Sequence, residues 1–288
     1  MAVAVVHAGK TVYAKGGLGG SRTSTVPPTI PATRWTPTRC SSWRRCPSRS
    51  GATVVAHQVG RNAIGWNTPV TEKLPWFALS DPAATRMVTV GDLYSHRSGL
   101  PDHAGGDQLE DLGYDRRYIL ERLRQLPLAP FRISYAYTNF GLTAAAEAVA
   151  VAAGKSWEDL SAEVLYRPLG MASTSSRFAD YEARADKAVG HIRIDGTYKP
   201  LYQRNADPEA PAGGGVSSSV NDLTHWLTMM LANGGAYNGQ QIVDPPAALL
   251  PAVSPRRSCP ARRRSRRCAP ASTDTASTSA PRRRPGYS

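Results

Sequence analysis

The stretch from Asn139 to Ala153 is alanine-rich, opens on the triplet Tyr137-Thr138-Asn139 and is stopped by Gly154. It predicts a long helix with a tyrosine and an asparagine at its mouth. That helix sits within a helix-rich middle section. Ala52 to Ala63 predicts a helix, Thr89 caps a short one through Leu93, and Tyr114 to Leu126 predicts an amphipathic helix rich in charge pairs. Ser156 with Asp159 resembles a capping box that opens a helix to about Tyr166. Ser219 with Asp222 opens another through Leu231, closed by Gly234. Upstream, Val3 to Val6 and Thr11 to Lys15 predict a hairpin around His7-Ala8-Gly9-Lys10.

The texture breaks on both sides of this section. From Gly16 to Ser50 the chain holds Gly, Ser, Thr, Pro and Arg with no apolar period. A structureless loop of that length is foreign to a compact domain, so residues 16–50 are expected to be disordered or misread. From about Pro251 to Ser288 the chain becomes Arg, Pro, Ser and Thr, which predicts a disordered tail over 251–288. The formal charge of +13 lives in these two segments. Residues 16–50 hold six Arg and no acid, and residues 245–288 hold ten Arg and one acid, Asp274. The remainder has 19 basic against 21 acidic residues, so the body itself offers no basic surface for nucleic acid. Genuine basic arms that bind phosphate backbones non-specifically are the alternative.

Cys40, Cys46, Cys259 and Cys268 also fall in the flanks, without Cys-x-x-Cys spacing or a His cluster, so no metal is expected. A mean hydropathy of −0.36 and the lack of any apolar run near ~20 residues fit a soluble globular protein with no membrane span. The start, Met1 to Val6, lacks the basic stretch and length of a signal peptide, which leaves the compartment unassigned.

In extended chain, residues i and i+2 project to the same side, so Tyr137 and Asn139 are expected to face together. The positive end of the helix that follows favours a phenolate there, and Phe131 through Tyr135 predicts an extended lead-in. The bland alternative makes Tyr137 a half-buried core tyrosine and Asn139 a plain N-cap. Two more stretches stand in fixed order around the triplet. One is Asp92-Leu93-Tyr94-Ser95-His96-Arg97-Ser98-Gly99-Leu100-Pro101. The other is Pro211-Ala212-Gly213-Gly214-Gly215-Val216-Ser217-Ser218-Ser219, followed by Asp222-Leu223. Together the three resemble the serine β-lactamase-like family of class C β-lactamases, D-alanyl-D-alanine peptidases and related esterases.

The resemblance covers about residues 1–15 and 51–250. It implies an α+β fold of multidomain α and β type, with an antiparallel sheet backed by helices and a helical subdomain across the cleft. A hydrolase domain is expected over 1–250, with the C-terminal sheet strands missing. The resemblance also implies acyl-enzyme hydrolysis of a β-lactam, D-amino-acid peptide or ester, a small-molecule or peptide substrate, and no cofactor. Tyr137 and Asn139 take catalytic places in it, and Gly213, Gly214 and Gly215 line the cleft beside the substrate. His96 and Ser98 fall in a tight turn after a short helix and are assigned no catalytic role.

The family's nucleophile motif, Ser-x-x-Lys, occurs nowhere. Three residues before the six lysines stand His7, Val12, Val70, Ala152, Arg184 and Gly196. Register against Gly51-Ala52-Thr53-Val54-Val55-Ala56 puts the serine slot at Arg45 and the lysine slot at Ser48. In a shifted reading frame, residues 43–48 can encode Ala-Ser-Val-Ser-Lys. Residues 35–42 can then encode Asp-Ala-Asp-Thr-Val-Phe-Gln-Leu. Residues 270–278 can encode Gly-Phe-Tyr-Gly-Tyr-Gly-Phe-Asn, a glycine-aromatic strand like the one before the family's third motif. The expectation is thus a hydrolase by family whose literal chain, frameshifted over about 16–50 and after about 252, is catalytically silent.

Overall fold

A computed structural model describes residues 2–16, 38–39, 41–42, 47–105, 109–110, 112–201, 205–212, 215–232 and 235–244. All of them fall in one compact unit, Met1–Pro255. The chain begins with strand β1 (Ala2–His7) turning into β2 (Lys10–Gly16), antiparallel, with a bulge between Val5 and Val6. After the two-residue strand β3 (Ser41–Ser42) comes helix α1 (Pro47–Gly60). It starts earlier than the apolar pattern indicates, because a proline fits the first helical position, where its missing N–H costs nothing. It ends before Ala63, where Gly60 lies so close to Asp244 that a Cβ would stand 1.7 Å from that residue's carbonyl oxygen.

Two short helices follow, α2 (Pro82–Met87) and α3 (Val90–Tyr94). Thr89 caps α3 through a full capping box with Asp92. Helix α4 (Arg116–Arg122), capped by Asp115, tightens into a 3₁₀ turn at Leu123–Gln125. The helical run is shorter than the predicted span at both ends: the Asp115 cap starts it at Arg116, and Pro127 drives Leu126 into the extended region, at φ −88° and ψ 138°.

Helix α5 (Asn139–Ala153) is the centre of the molecule. Phe140 to Ala146 and Ala148 to Ala150 are buried, so the helix is covered almost all round. Its sequence permits this, because alanine lets neighbouring elements approach closely without a cavity. Thr138, not Asn139, is the N-cap: its hydroxyl accepts from the Gly141 N–H. Gly154 closes the other end at φ +67°, a conformation that favours glycine. Around α5 pack Leu93 and Leu100 from the α3 region, Ile119 and Leu120 from α4 with Leu123 from the 3₁₀ turn after it, and Val54 and Val55 from α1.

Helix α6 (Trp157–Ser161), capped by Ser156, widens into a π turn over Ala162–Tyr166. Helix α7 (Phe178–Ala183) leads to the exposed hairpin β4 (His191–Ile194) and β5 (Thr197–Pro200). Strand β6 (Ser217–Ser218) pairs with β3 and precedes α8 (Val220–Leu231), which packs on β1 and β2. A short hairpin, β7 (Ala236–Tyr237) and β8 (Gln240–Gln241), follows.

Every pairing among the described strands is antiparallel, in four two-stranded sheets, consistent with the expected α+β class. The lead-in Phe131 to Tyr135 departs from expectation. It opens as a turn, with the Ile133 and Ser134 N–H groups both donating to Pro130 O and Arg132 at φ +63°. Of the segment 16–50 expected to be disordered, residues 17–37, 40 and 43–46 lie outside the described residues, whereas Gly16 ends β2, Ser41–Ser42 pairs as β3 and Pro47 opens α1. The expected tail 251–288 and the Gly234 helix stop also lie outside the described residues.

Candidate active site

Thr138 is extended, at φ −148° and ψ 125°, which turns Tyr137 and Asn139 to the same side. The Tyr137 hydroxyl donates to Asn139 Oδ1 at 2.7 Å, and Asn139 Nδ2 donates to Glu209 Oε2 at 2.7 Å. Tyr137 and Asn139 are half-buried, whereas Glu209 is 3% exposed. A phenol, a carboxamide and a carboxylate thus form one chain of hydrogen bonds at the N-terminus of α5.

The loop after α3 holds this chain in place. His96 occupies the left-handed region at φ +55°, an unfavourable conformation for a residue with a Cβ. Hydrogen bonds hold it there: its N–H donates to Leu93 O, and its own carbonyl accepts from the Ala136 N–H at 3.0 Å. Its Nδ1 accepts from the Thr138 N–H at 3.2 Å, which leaves the ring proton on Nε2. The imidazole lies against the Tyr137 ring, with centroids 4.7 Å apart, and meets Tyr135 edge-on at 5.5 Å. Burial pushes the imidazole down to about 4, with Asp102 pulling weakly the other way, so the ring is neutral at pH 7. On the far side the His103 N–H donates to Tyr137 O at 2.7 Å. Arg132 grips Asp92 with Nε and Nη2 at 2.8–3.1 Å, which ties the cap of α3 to the segment leading into Tyr137.

The third stretch arrives through a 3₁₀ turn, Asp207–Ala212, which carries Glu209. Arg116, at the start of α4, fastens that turn. Its Nη2 donates to Asp207 O at 2.7 Å and its Nε to Pro208 O at 3.3 Å. The same guanidinium bridges Glu147 of α5 and Glu158 of α6, both at 2.5 Å. Gly215 packs on the turn so tightly that a Cβ would stand 2.4 Å from Ala206 O. Beyond it, β6 is held between β3 on one side and Ser175 on the other, whose backbone pairs with Ser217. Helix α1 passes close by, since a Cβ on Gly51 would lie 3.1 Å from Pro211 O.

The structure therefore brings the turn before Gly215 to Tyr137 and Asn139, and α1 to the same turn. Gly213, Gly214 and Arg45 lie outside the described residues, and Ser48 lies in the first turn of α1. Ser98 is buried, and its hydroxyl accepts from the Leu100 N–H at 3.4 Å, within the turn. Sequence reasoning missed Glu209 and Arg116, and it treated His96 as part of a turn only. No local spacing marks Glu209, which stands 70 residues from Asn139. A cavity of about 520 Å³ lies elsewhere, at the far ends of α1 and α5, lined by His57, Arg61, Lys155, Glu163 and Gln240. A helix of this length puts it roughly 20 Å from Tyr137, and its cations sit where helix C-termini favour them.

Solved structures share this fold at low identity. An octameric penicillin-binding protein homologue from Pyrococcus abyssi superposes with a TM-score of 0.69 at 20% identity, over 86% of this chain and 54% of that one. A class C beta-lactamase from Rhodobacter sphaeroides gives 0.64 at 23% identity, over 86% and 64%. Among curated relatives, an unguisins hydrolase of Aspergillus campestris is 32% identical over 181 residues, covering 58% of this chain and 33% of the relative. Penicillin-binding protein 4 of Amycolatopsis lactamdurans is 28% identical over 206 residues, covering 69% and 52%. The chain spans from a third to about half the length of these curated relatives. The family model named Beta-lactamase matches residues 1–264, and with Tyr137, Asn139 and the approach to Gly215 gathered at one helix end, the chain belongs to the beta-lactamase family.

Proposed function

We propose that the site serves acyl-enzyme hydrolysis of an amide, lactam or ester carbonyl. In a frame that carries Ser-x-x-Lys, the serine hydroxyl attacks and its proton passes by way of the lysine to the leaving group. Tyr137 stands beside both as a base in phenolate or hydrogen-bonded form, with Asn139 next to it and Gly213, Gly214 and Gly215 on the substrate side. One observation carries the reading: the 2.7 Å hydrogen bond from Tyr137 to Asn139 at the mouth of α5, with the turn that leads to Gly215 joined to the same asparagine. A relative named as a hydrolase of unguisins supports hydrolysis, and another named as a penicillin-binding protein supports a ligand with a lactam carbonyl. A broad peptidase or esterase fits better than a dedicated β-lactamase, because Tyr-x-Asn is common to all of these enzymes.

A second reading has its own observation, the absence of Ser-x-x-Lys from the sequence. Hydrolases of this logic lose on the order of 10⁶-fold in turnover without their serine. We therefore propose that the 288-residue chain as written is silent and that a shifted frame over residues 16–50 conceals the nucleophile. Burst kinetics with a chromogenic ester and a chromogenic cephalosporin separate the two readings. A burst that disappears in Tyr137→Phe supports the working hydrolase, and no burst at all supports the silent one. Turnover untouched by Tyr137→Phe removes that residue from the proton transfer. Reading the coding DNA across codons 14–52 tests the frame directly. A single-base correction restoring Ser-Val-Ser-Lys returns the nucleophile, and confirmation of the present frame rejects that explanation.

A further inference from the structure

We propose that Glu209 sets the orientation of the Asn139 carboxamide and, through it, the direction of the Tyr137 hydroxyl proton, which makes Glu209 a positioning residue of the site. The inference rests on the placement of Tyr137 and Asn139 argued above. A carboxylate has lone pairs and no proton to give, so it accepts only from the NH₂ end of an asparagine. With Nδ2 committed to Glu209 at 2.7 Å, the oxygen end of the amide faces Tyr137. That oxygen has no proton either, so the phenol must donate to it. The remaining lone pairs of the phenol oxygen are left facing away from Asn139, and Tyr137 meets any further partner as an acceptor.

Among the described bonds of this chain, the one to Glu209 is what distinguishes the two ends of the amide. A flipped Asn139 would donate to Tyr137, and the phenol proton would turn outward. The site would keep its shape while its hydrogen-bond polarity reversed.

The position of Glu209 suits this role. It is almost fully buried, its own N–H donates to Ala206 O at 3.2 Å, and the two residues before it have their carbonyls clamped by Arg116. The guanidinium is itself fixed by carboxylates of α5 and α6. The carboxylate is thus held relative to the helix that carries Asn139, and does not follow a freely moving loop.

The test reads the asparagine side-chain amide of the 288-residue protein by NMR, with the Asn139 pair assigned by its loss in Asn139→Asp. In the unmodified protein one Asn139 amide proton should lie downfield and exchange with solvent at least about tenfold more slowly than exposed asparagines. Glu209→Ala should return that proton to the exposed range. Glu209→Gln should keep the protection with a smaller downfield displacement, because a neutral oxygen now accepts. An Asn139 amide unchanged in both variants overturns the proposal. If Glu209→Ala does not fold, the isosteric Glu209→Gln decides alone, and an unmoved proton there overturns it equally. The readout involves no hydrolysis, so a silent chain in the burst assay leaves this result independent.

Discussion

His96 shows how one residue couples the acid stability of the protein to its candidate site. Its imidazole is pushed by burial to about 4 in the folded chain, below the ordinary 6.5. The unfolded chain therefore binds a proton on His96 at a pH where the folded chain does not. Its contribution is complete above pH 6.5 and is lost as pH falls toward 4, by up to about 3 kcal/mol. Protonation also removes the lone pair that accepts from the Thr138 N–H, so the lead into Asn139 loosens with it. His96→Asn should tolerate the left-handed backbone, since asparagine adopts it readily. Urea unfolding at pH 7 and pH 4.5 should show a stability difference about 2 kcal/mol smaller in that variant, and an unchanged difference contradicts the assignment. At this scale Tyr137 and Asn139 were legible because they stand two residues apart, and local backbone geometry turns them together. The part played by His96 was not legible, because its contact with Thr138 crosses 42 residues.

Capping decided most of the helical elements. The Ser219 hydroxyl accepts from the Asp222 N–H at the start of α8, as the spacing of the two residues indicates. The fold then loads more onto the same carboxylate. Asp222, buried at 6% exposure, also accepts from the Ser173 N–H and the Thr174 hydroxyl, each at 2.7 Å. It therefore locks the turn before α7 to the first turn of α8. Asp222→Ala should cost about 3 kcal/mol, more than the roughly 1 kcal/mol of an ordinary cap, because the donors at Ser173 and Thr174 lose a buried acceptor. A shift in the urea midpoint at constant slope measures it, and a loss near 1 kcal/mol would mean that only the cap matters. The elements that departed from expectation did so for reasons outside their own pattern: Pro127 ended α4 early, and the turn at Pro130 replaced an extended lead-in.

Across the whole molecule, one guanidinium joins the pieces. Arg116 ties α4 to α5, α6 and the Asp207–Ala212 turn, with side-chain exposures of 19%, 24% and 14% for Arg116, Glu147 and Glu158. Arg116→Met should destabilise the protein by about 3–5 kcal/mol, since two carboxylates are left without their cation in a mostly buried place. Replacing Glu147 and Glu158 as well with apolar residues of similar size should recover much of that loss, and thermal unfolding of the two variants compares them. The capped helix starts at Thr89, Ser156 and Ser219, the α5 mouth and the order of the three family-like stretches were determined by the sequence alone, because caps and side-chain facing depend on neighbours within about four residues. Tertiary structure alone decided that Glu209 orients Asn139, that Arg116 clamps the turn beside it, and that His96 lies against Tyr137. Those pairings join groups 31 to 92 residues apart in sequence, which only the packing of separate elements around α5 brings together.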